Sequence, residues 1–187
     1  LTFKKINHQH WEAFQQNKLT KSEVLSERFV NYFKHHQMEV DGHRADVLFR
    51  NGLAEAKVKY FDQTLETIVE LSKRHDLYIV TNGVTETQKR RLNQTPLHKY
   101  IKKIFISEET GYQKPNPEFF NYVFNDIGED ERQHSIIVGD SLTSDILGGI
   151  NAGIATCWFN FRGFDHNPGI IPDYEINSWK QLNDIVR

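Results

Sequence analysis

Sulfur is scarce in this chain: among 187 residues there is one cysteine and one methionine. A single cysteine, Cys157, excludes an internal disulfide and fits a reducing compartment. It lies in the apolar run from Ile154 to Phe159, a setting for a core residue rather than a nucleophile. Long apolar runs are also missing. None approaches the roughly 18 residues of a membrane span, and the start, LTFKKINHQHW, has no apolar signal core. Charge of one sign is missing too. A formal net charge of -2 offers nothing to a nucleic acid or a membrane surface. No repeat or low-complexity segment occurs. The expectation is a soluble cytoplasmic protein, monomer or homodimer, without nucleic acid or membrane as partner. What is present is 38% hydrophobic residues, enough for a core, in a length that suits one α/β domain with an insert or a small second domain.

The stretch SIIVGDSLTSDILGGINAG, from Ser135 to Gly153, organises the rest. Ile136, Ile137 and Val138 form a short buried-strand run that ends in Gly139-Asp140. A polar turn from Ser141 to Ser144 follows, and Asp145 is expected to open a helix. Ligands of open α/β sheets gather at the carboxyl ends of the strands. Two carboxylates held around one turn there can take a hard cation such as Mg2+. The plainer reading makes Asp140 a turn residue and Asp145 a helix cap.

Residues 1–58 read as helices throughout. Phe3, Ile6, Trp11 and Phe14 mark the first. Thr20 opens T-K-S-E, a capping box with Glu23, and Leu25, Phe29, Tyr32 and Phe33 follow at helical spacing. After Asp41-Gly42 a third helix runs from about His43 towards Lys57. Beyond residue 60 the pattern alternates. Asp62 is expected to cap a helix to about Arg74 that turns Leu65, Ile68, Val69 and Leu71 inward. Strands are expected at Leu77–Gly83, Lys103–Ser107, Ile136–Val138 and Ile154–Phe159, with a short one at Asp173–Ile176. Helices fall at Thr85–Asn93, Glu118–Ile127 and Trp179–Val186. Such alternation argues for a doubly wound, Rossmann-like parallel sheet with its polar strand ends on one edge.

Three polar ends then belong together chemically. Thr81-Asn82-Gly83 offers a hydroxyl and backbone N–H groups for phosphate oxygens, with a glycine that permits close approach. Lys114, in QKPNP, is a cation whose position two prolines stiffen. Asp140 and Asp145 complete the set. Taken singly, the first could be a simple strand-to-helix cap and the second a solvated turn lysine. Together they suit phosphoryl transfer, where positioning and charge stabilisation supply most of the catalysis.

The motifs TNG, KPNPEFF and GDSLTSD, in this order and spacing, resemble the second, third and fourth motifs of the haloacid dehalogenase (HAD) superfamily. The match covers roughly residues 61–160. The longer runs ISEETGYQKPNPEFF and SDILGGINAGIATCWFN resemble the YjjG-like noncanonical pyrimidine nucleotidases within it. The resemblance implies a HAD-like α/β core over residues 61–187 and, over residues 1–60, part of a helical C1-type cap. It implies that Thr81, Asn82 and Gly83 bind the transferring phosphoryl group. Lys114 would hold that group and the nucleophile. Asp140 would ligate Mg2+, and Asp145 would support the metal directly or through water. The implied activity is Mg2+-dependent hydrolysis of a small-molecule phosphomonoester through an aspartyl-phosphate, most closely that of a 5'-nucleotidase on pyrimidine nucleoside monophosphates. Sugar phosphates or other small phosphomonoesters are the alternative substrates. A non-catalytic short form that binds a phosphate-bearing ligand is the alternative to an enzyme.

The family's first motif, a strand ending in D-x-D-x-T/V, is absent from these residues. Its strand is central in the family's sheet, so the strands around Ile79 and Ile137 are expected to lack their shared neighbour. The expectation is that about 40–50 residues lie upstream, an allowance set by ordinary domain size. Among other residues, the pairs His8/His10 and His35/His36 diverge on a helix and so do not build a zinc site. Trp11 and Phe14 suit a packed helix face better than a base platform. Arg28 fits either a cap contact or a solvated charge. Trp158, Phe159 and Phe161 read as core and rim, and residues 164–172 as a surface loop near the site entrance.

Overall fold

The computed structural model describes residues 2–186. They form two compact units, one ending at Ala56 and one beginning at Lys57.

The first unit is three helices: α1 (Phe3–Gln15), α2 (Lys21–His35) and α3 (Gly42–Glu55). Each start is set by a side chain. Thr2 and Asp41 accept from backbone N–H groups of α1 and α3. Thr20 and Glu23 make the anticipated capping box, with the Thr20 N–H donating to Glu23 Oε2 at 2.7 Å. Ile6, Phe14, Val24, Phe29 and Ala54 are buried. So is Arg28. Its guanidinium donates to Asp46 Oδ1 and to Asn7 Oδ1, both at 2.6 Å, while Arg50 donates to Asp46 Oδ2 at 2.6 Å. Arg28 is therefore not a solvated charge; it ties all three helices together. Phe14 is buried and meets Trp11 edge-on.

The second unit begins with α4 (Thr64–Leu71) and β1 (Tyr78–Thr81), then α5 (Thr85–Asn93), β2 (Lys103–Ile106) and the single turn α6 (Ser107–Thr110). It continues through α7 (Pro117–Ile127), β3 (Ile136–Gly139), α8 (Leu147–Ala152), β4 (Ala155–Phe159), β5 (Tyr174–Ile176) and α9 (Leu182–Ile185). The start of α4 differs from expectation. Gln63, in left-handed backbone at φ 63°, holds the cap position without a side-chain bond, and Asp62 does not. The buried stripe is Thr64, Thr67 and Leu71, a regular i, i+3, i+7 face, while Leu65, Ile68 and Val69 are only partly covered.

All strand pairs are parallel, but the expected single sheet is two. β1 pairs with β2, and β3-β4-β5 form the other sheet. Among the described residues no strand lies between β1 and β3, the two strands predicted to lack a shared neighbour. Helix α7 spans the division. Its Phe119, Phe120, Val123 and Phe124 pack in one cluster with Val80 of β1, Phe105 of β2 and Ile137 of β3. Burying a side chain of this size contributes about 1.5–3 kcal/mol, so α7 does much to hold the two sheets together. Pro117 in its first turn suits a helix start, where the missing N–H is no loss. The opposite face is covered by Leu71 and Leu182 against Cys157, Phe159 and Ile176. Cys157 is fully buried, and burial pushes its thiol up to about 11, which makes it an inert core residue. No helix among the described residues is long and apolar enough to cross a membrane.

Candidate active site

The carboxyl ends of β1 and β3 carry the predicted residues, and one side chain from the segment before α7 joins them. Lys114 is buried. Its Nζ donates to the Val80 carbonyl at 2.8 Å and to Asp145 Oδ1 at 2.6 Å. An ammonium has three N–H donors; these two bonds leave one for a ligand. Asn82 fixes the lysine's backbone from the end of β1. Its Oδ1 accepts from the Lys114 N–H at 2.9 Å, and its Nδ2 donates to the Lys114 carbonyl at 2.8 Å. Nδ2 also reaches Ser144 Oγ at 3.4 Å. The Asn82 side chain thus positions Lys114, a role its place in TNG did not disclose. The Lys114–Pro115 peptide is cis.

Thr81 and Gly83 are joined to each other at the end of β1. The Gly83 N–H donates to Thr81 Oγ1 at 3.0 Å, so this amide is turned towards the threonine. The same bond leaves the threonine's O–H hydrogen to donate elsewhere. A Cβ at Gly83 would meet the flexible side chain of Gln88. The demanding glycine is Gly139, whose added Cβ would fall on Cβ, Cγ and Oδ2 of Asp145. The sequence signal for it was a glycine directly before an aspartate at a strand end.

Asp145 does not open a helix. Helical winding starts earlier, in a π-type turn over Leu142–Ile146 that runs into α8, and Ser141 is the cap. The Ser144 N–H donates to Ser141 Oγ at 3.2 Å. Asp145 therefore sits inside the turn, buried. Its Oδ2 accepts from the Ser141 N–H at 3.1 Å while Oδ1 accepts from Lys114. Asp140 is exposed to solvent as a residue. Protein on its other sides desolvates the carboxyl and pushes it above the ordinary aspartate value; the negative charge of Asp145 acts in the same direction, and Arg162 and Lys114 oppose it. The Asp140 carbonyl accepts from Trp158 Nε1 at 3.1 Å, which anchors the end of β3 to β4.

This is an all-oxygen donor set beside one lysine. Mg2+ is commonly bound by one or two carboxylates, with waters and substrate phosphates supplying the rest. Asp140, accessible and crowded by a second carboxylate, fits the direct ligand. Asp145, with both oxygens already accepting, fits the support. Among the described residues no third His, Cys, Asp or Glu converges with them.

The sequence profile of the haloacid dehalogenase-like hydrolases matches residues 2–159. The chain belongs to that family. YfnB of Bacillus subtilis (strain 168) is 43% identical over 184 residues, spanning 98% of this chain and 78% of YfnB. The pyrimidine 5'-nucleotidase PynA of Streptococcus pneumoniae is 33% identical, over 97% of this chain and 76% of its own length. The pyrimidine 5'-nucleotidase YjjG of Escherichia coli is 30% identical, over 98% of this chain and 80% of its own. The crystal structure of YfnB bound to magnesium matches with a TM-score of 0.92 over 99% of this chain and 81% of that one. The haloacid dehalogenase-like fold and a hydrolase of the phosphatase kind follow for this chain.

Proposed function

We propose that this hydrolase is a Mg2+-dependent 5'-nucleotidase that acts on pyrimidine nucleoside monophosphates. The observation that carries the phosphatase chemistry is Lys114 Nζ, buried and held between Val80 O and Asp145 Oδ1 with one N–H to give, beside the accessible Asp140. That N–H and the Thr81 hydroxyl donate to the phosphoryl oxygens. The Asn82 backbone N–H is assigned to the same group, while the Gly83 N–H stays on Thr81 Oγ1. Asp140 holds Mg2+, and Asp145 keeps both Lys114 and the turn in place. Mg2+ held there would neutralise charge on the phosphoryl oxygens. The nucleophile is an aspartate on a strand outside these residues that completes the sheet between β1 and β3. As its carboxylate bonds to phosphorus, the ester P–O bond breaks and the leaving alkoxide takes a proton; water then cleaves the aspartyl-phosphate to inorganic phosphate and the free carboxylate. Residues 1–60 serve as part of a helical cap. The choice of nucleotides over sugar phosphates is supported by the likeness to PynA and YjjG.

The test is phosphate release with Mg2+ from a panel of nucleoside monophosphates and sugar phosphates, using the chain together with its own upstream segment. Pyrimidine monophosphates are expected to turn over at least tenfold faster, per kcat/KM, than the sugar phosphates, a difference of about 1.4 kcal/mol in transition-state binding. Equal or reversed preference discards the nucleotidase assignment and leaves the phosphatase.

A further inference from the structure

The loop after β4 is built tightly around a cation. Asn160, 7% exposed, clamps it. Its Oδ1 accepts from the Phe164 N–H at 2.8 Å, and its Nδ2 donates to the Phe164 carbonyl at 3.0 Å and to Glu175 Oε1 at 2.7 Å. The Gly163 N–H closes the turn onto the Asn160 carbonyl at 3.2 Å, and Gly163 takes the left-handed φ of 62° that glycine adopts without strain. Within this turn the Arg162 guanidinium lies over two rings, 4.7 Å from the centroid of Phe161 and 5.7 Å from that of Phe164. Among the described residues it makes no ion pair. A cation held against aromatic faces keeps its N–H edges for a ligand.

Its place matters. Gly139 of β3 is the register partner of Trp158 of β4, and Trp158 bonds back to the Asp140 carbonyl. The turn that begins at Asn160, two residues on, therefore emerges beside Asp140. The edge otherwise presents two carboxylates against one buried lysine that is already paired. Before a cation binds, a phosphate dianion approaching it meets net negative charge.

We propose that Arg162 is a substrate-binding residue that engages the phosphate oxygens of the incoming ester at the mouth of the site. The assignment rests on the phosphatase reading above. Arg162 draws the anion in, and its fork can take two oxygens at once. Because it also stands beside Asp140, it weakens binding of a cation there. The two effects have opposite signs, which a merely structural residue would not produce.

The test is calorimetric titration of the protein with inorganic phosphate and, separately, with Mg2+, for wild type, Arg162→Gln and Arg162→Lys. In Arg162→Gln the phosphate Kd is expected to rise about tenfold, the scale of one lost charge-assisted contact. The Mg2+ Kd is expected to fall about two- to threefold, the scale of a screened charge several ångströms away. Arg162→Lys keeps the charge and loses the fork, so its Mg2+ Kd stays and its phosphate Kd lies between. Unchanged phosphate affinity in Arg162→Gln overturns the proposal, as does a joint loss of both affinities, which would mark a collapsed loop. Failure of the wild type itself to bind Mg2+ and phosphate overturns the phosphatase reading and this inference with it.

Discussion

Lys114 Nζ and Asp145 Oδ1 stand 2.6 Å apart, with both side chains almost closed to solvent. Neither charge can be removed alone without stranding the other. Breaking a buried pair from one side costs about 3–5 kcal/mol, whereas replacing both members by apolar groups can be nearly neutral. Lys114→Met and Asp145→Leu are each expected to lower unfolding stability by about 3 kcal/mol. The double variant is expected to lose much less than the sum. Urea unfolding of the four proteins measures the coupling. Additive losses would mean that the pair is held apart by water and does not organise the site.

Gly139 makes a second, sharper demand. Alanine at this position puts a methyl where the Asp145 carboxylate now lies. Either β3 or the turn over Leu142–Ile146 must move, and overpacking of this kind costs about 1–3 kcal/mol. Displacing Asp145 also releases Lys114. Gly139→Ala is expected to abolish the Mg2+-induced rise in melting temperature, while Gly153→Ala, with nothing within reach of its added Cβ, keeps it. The control carries a strained backbone at φ 69°, so it is matched to Gly139→Ala in stability loss and separates that loss from loss of the site.

Much of this arrangement was legible in the sequence because it rests on local signals. The capping box at Thr20, the helix from Thr85 to Asn93 and the apolar runs of β1, β2, β3 and β4 are each written in consecutive residues. The gathering of Thr81, Lys114, Asp140 and Asp145 followed from parallel strands sharing one polar edge. What could not be read depends on partners distant in sequence. Asn82 as a clamp on the Lys114 backbone is a contact across 32 residues. Gly139 shows its purpose only when Asp145 folds back over it. Asp62 was a reasonable cap by composition, but the chain turns one residue later, through Gln63 in the left-handed region. Arg28 reads as a surface charge in any single helix. Its burial is visible only when α1 and α3 bring Asn7 and Asp46 to it.

That arginine gives a prediction for the first unit. Asp46 is completely buried and pairs with both Arg28 and Arg50. Burial works against the Arg28 charge, and Asp46 is what sustains it. Asp46→Ala leaves a guanidinium in the bundle with no carboxylate, at a cost of about 3–5 kcal/mol. The helices α1 to α3 are expected to become the first part of the chain to unfold or to be cut by protease. Glu39→Ala, at an exposed position in the same unit, is expected to change stability by less than about 0.5 kcal/mol. Hydrogen exchange resolved along the chain checks this, and unchanged protection of α2 in Asp46→Ala would show that apolar packing alone holds the bundle.

Asp140 is the residue whose removal should help the empty protein and ruin the loaded one. Its carboxyl is raised above the ordinary value of about 3.9. The folded chain therefore holds that proton more tightly than the unfolded chain does. The resulting stabilisation is present below about pH 4 and is lost as pH rises through the raised value. At neutral pH the ionised, partly desolvated Asp140 beside Asp145 is a small burden that asparagine does not carry. With a chelator at pH 7, Asp140→Asn is expected to melt slightly above wild type, and the difference is expected to shrink towards pH 4. With millimolar Mg2+ the order reverses, because a ligand that binds only the folded state raises its melting temperature: wild type gains and the variant does not. The two melting curves at pH 7, with and without Mg2+, decide it. An equal gain in both proteins would remove Asp140 from the metal site.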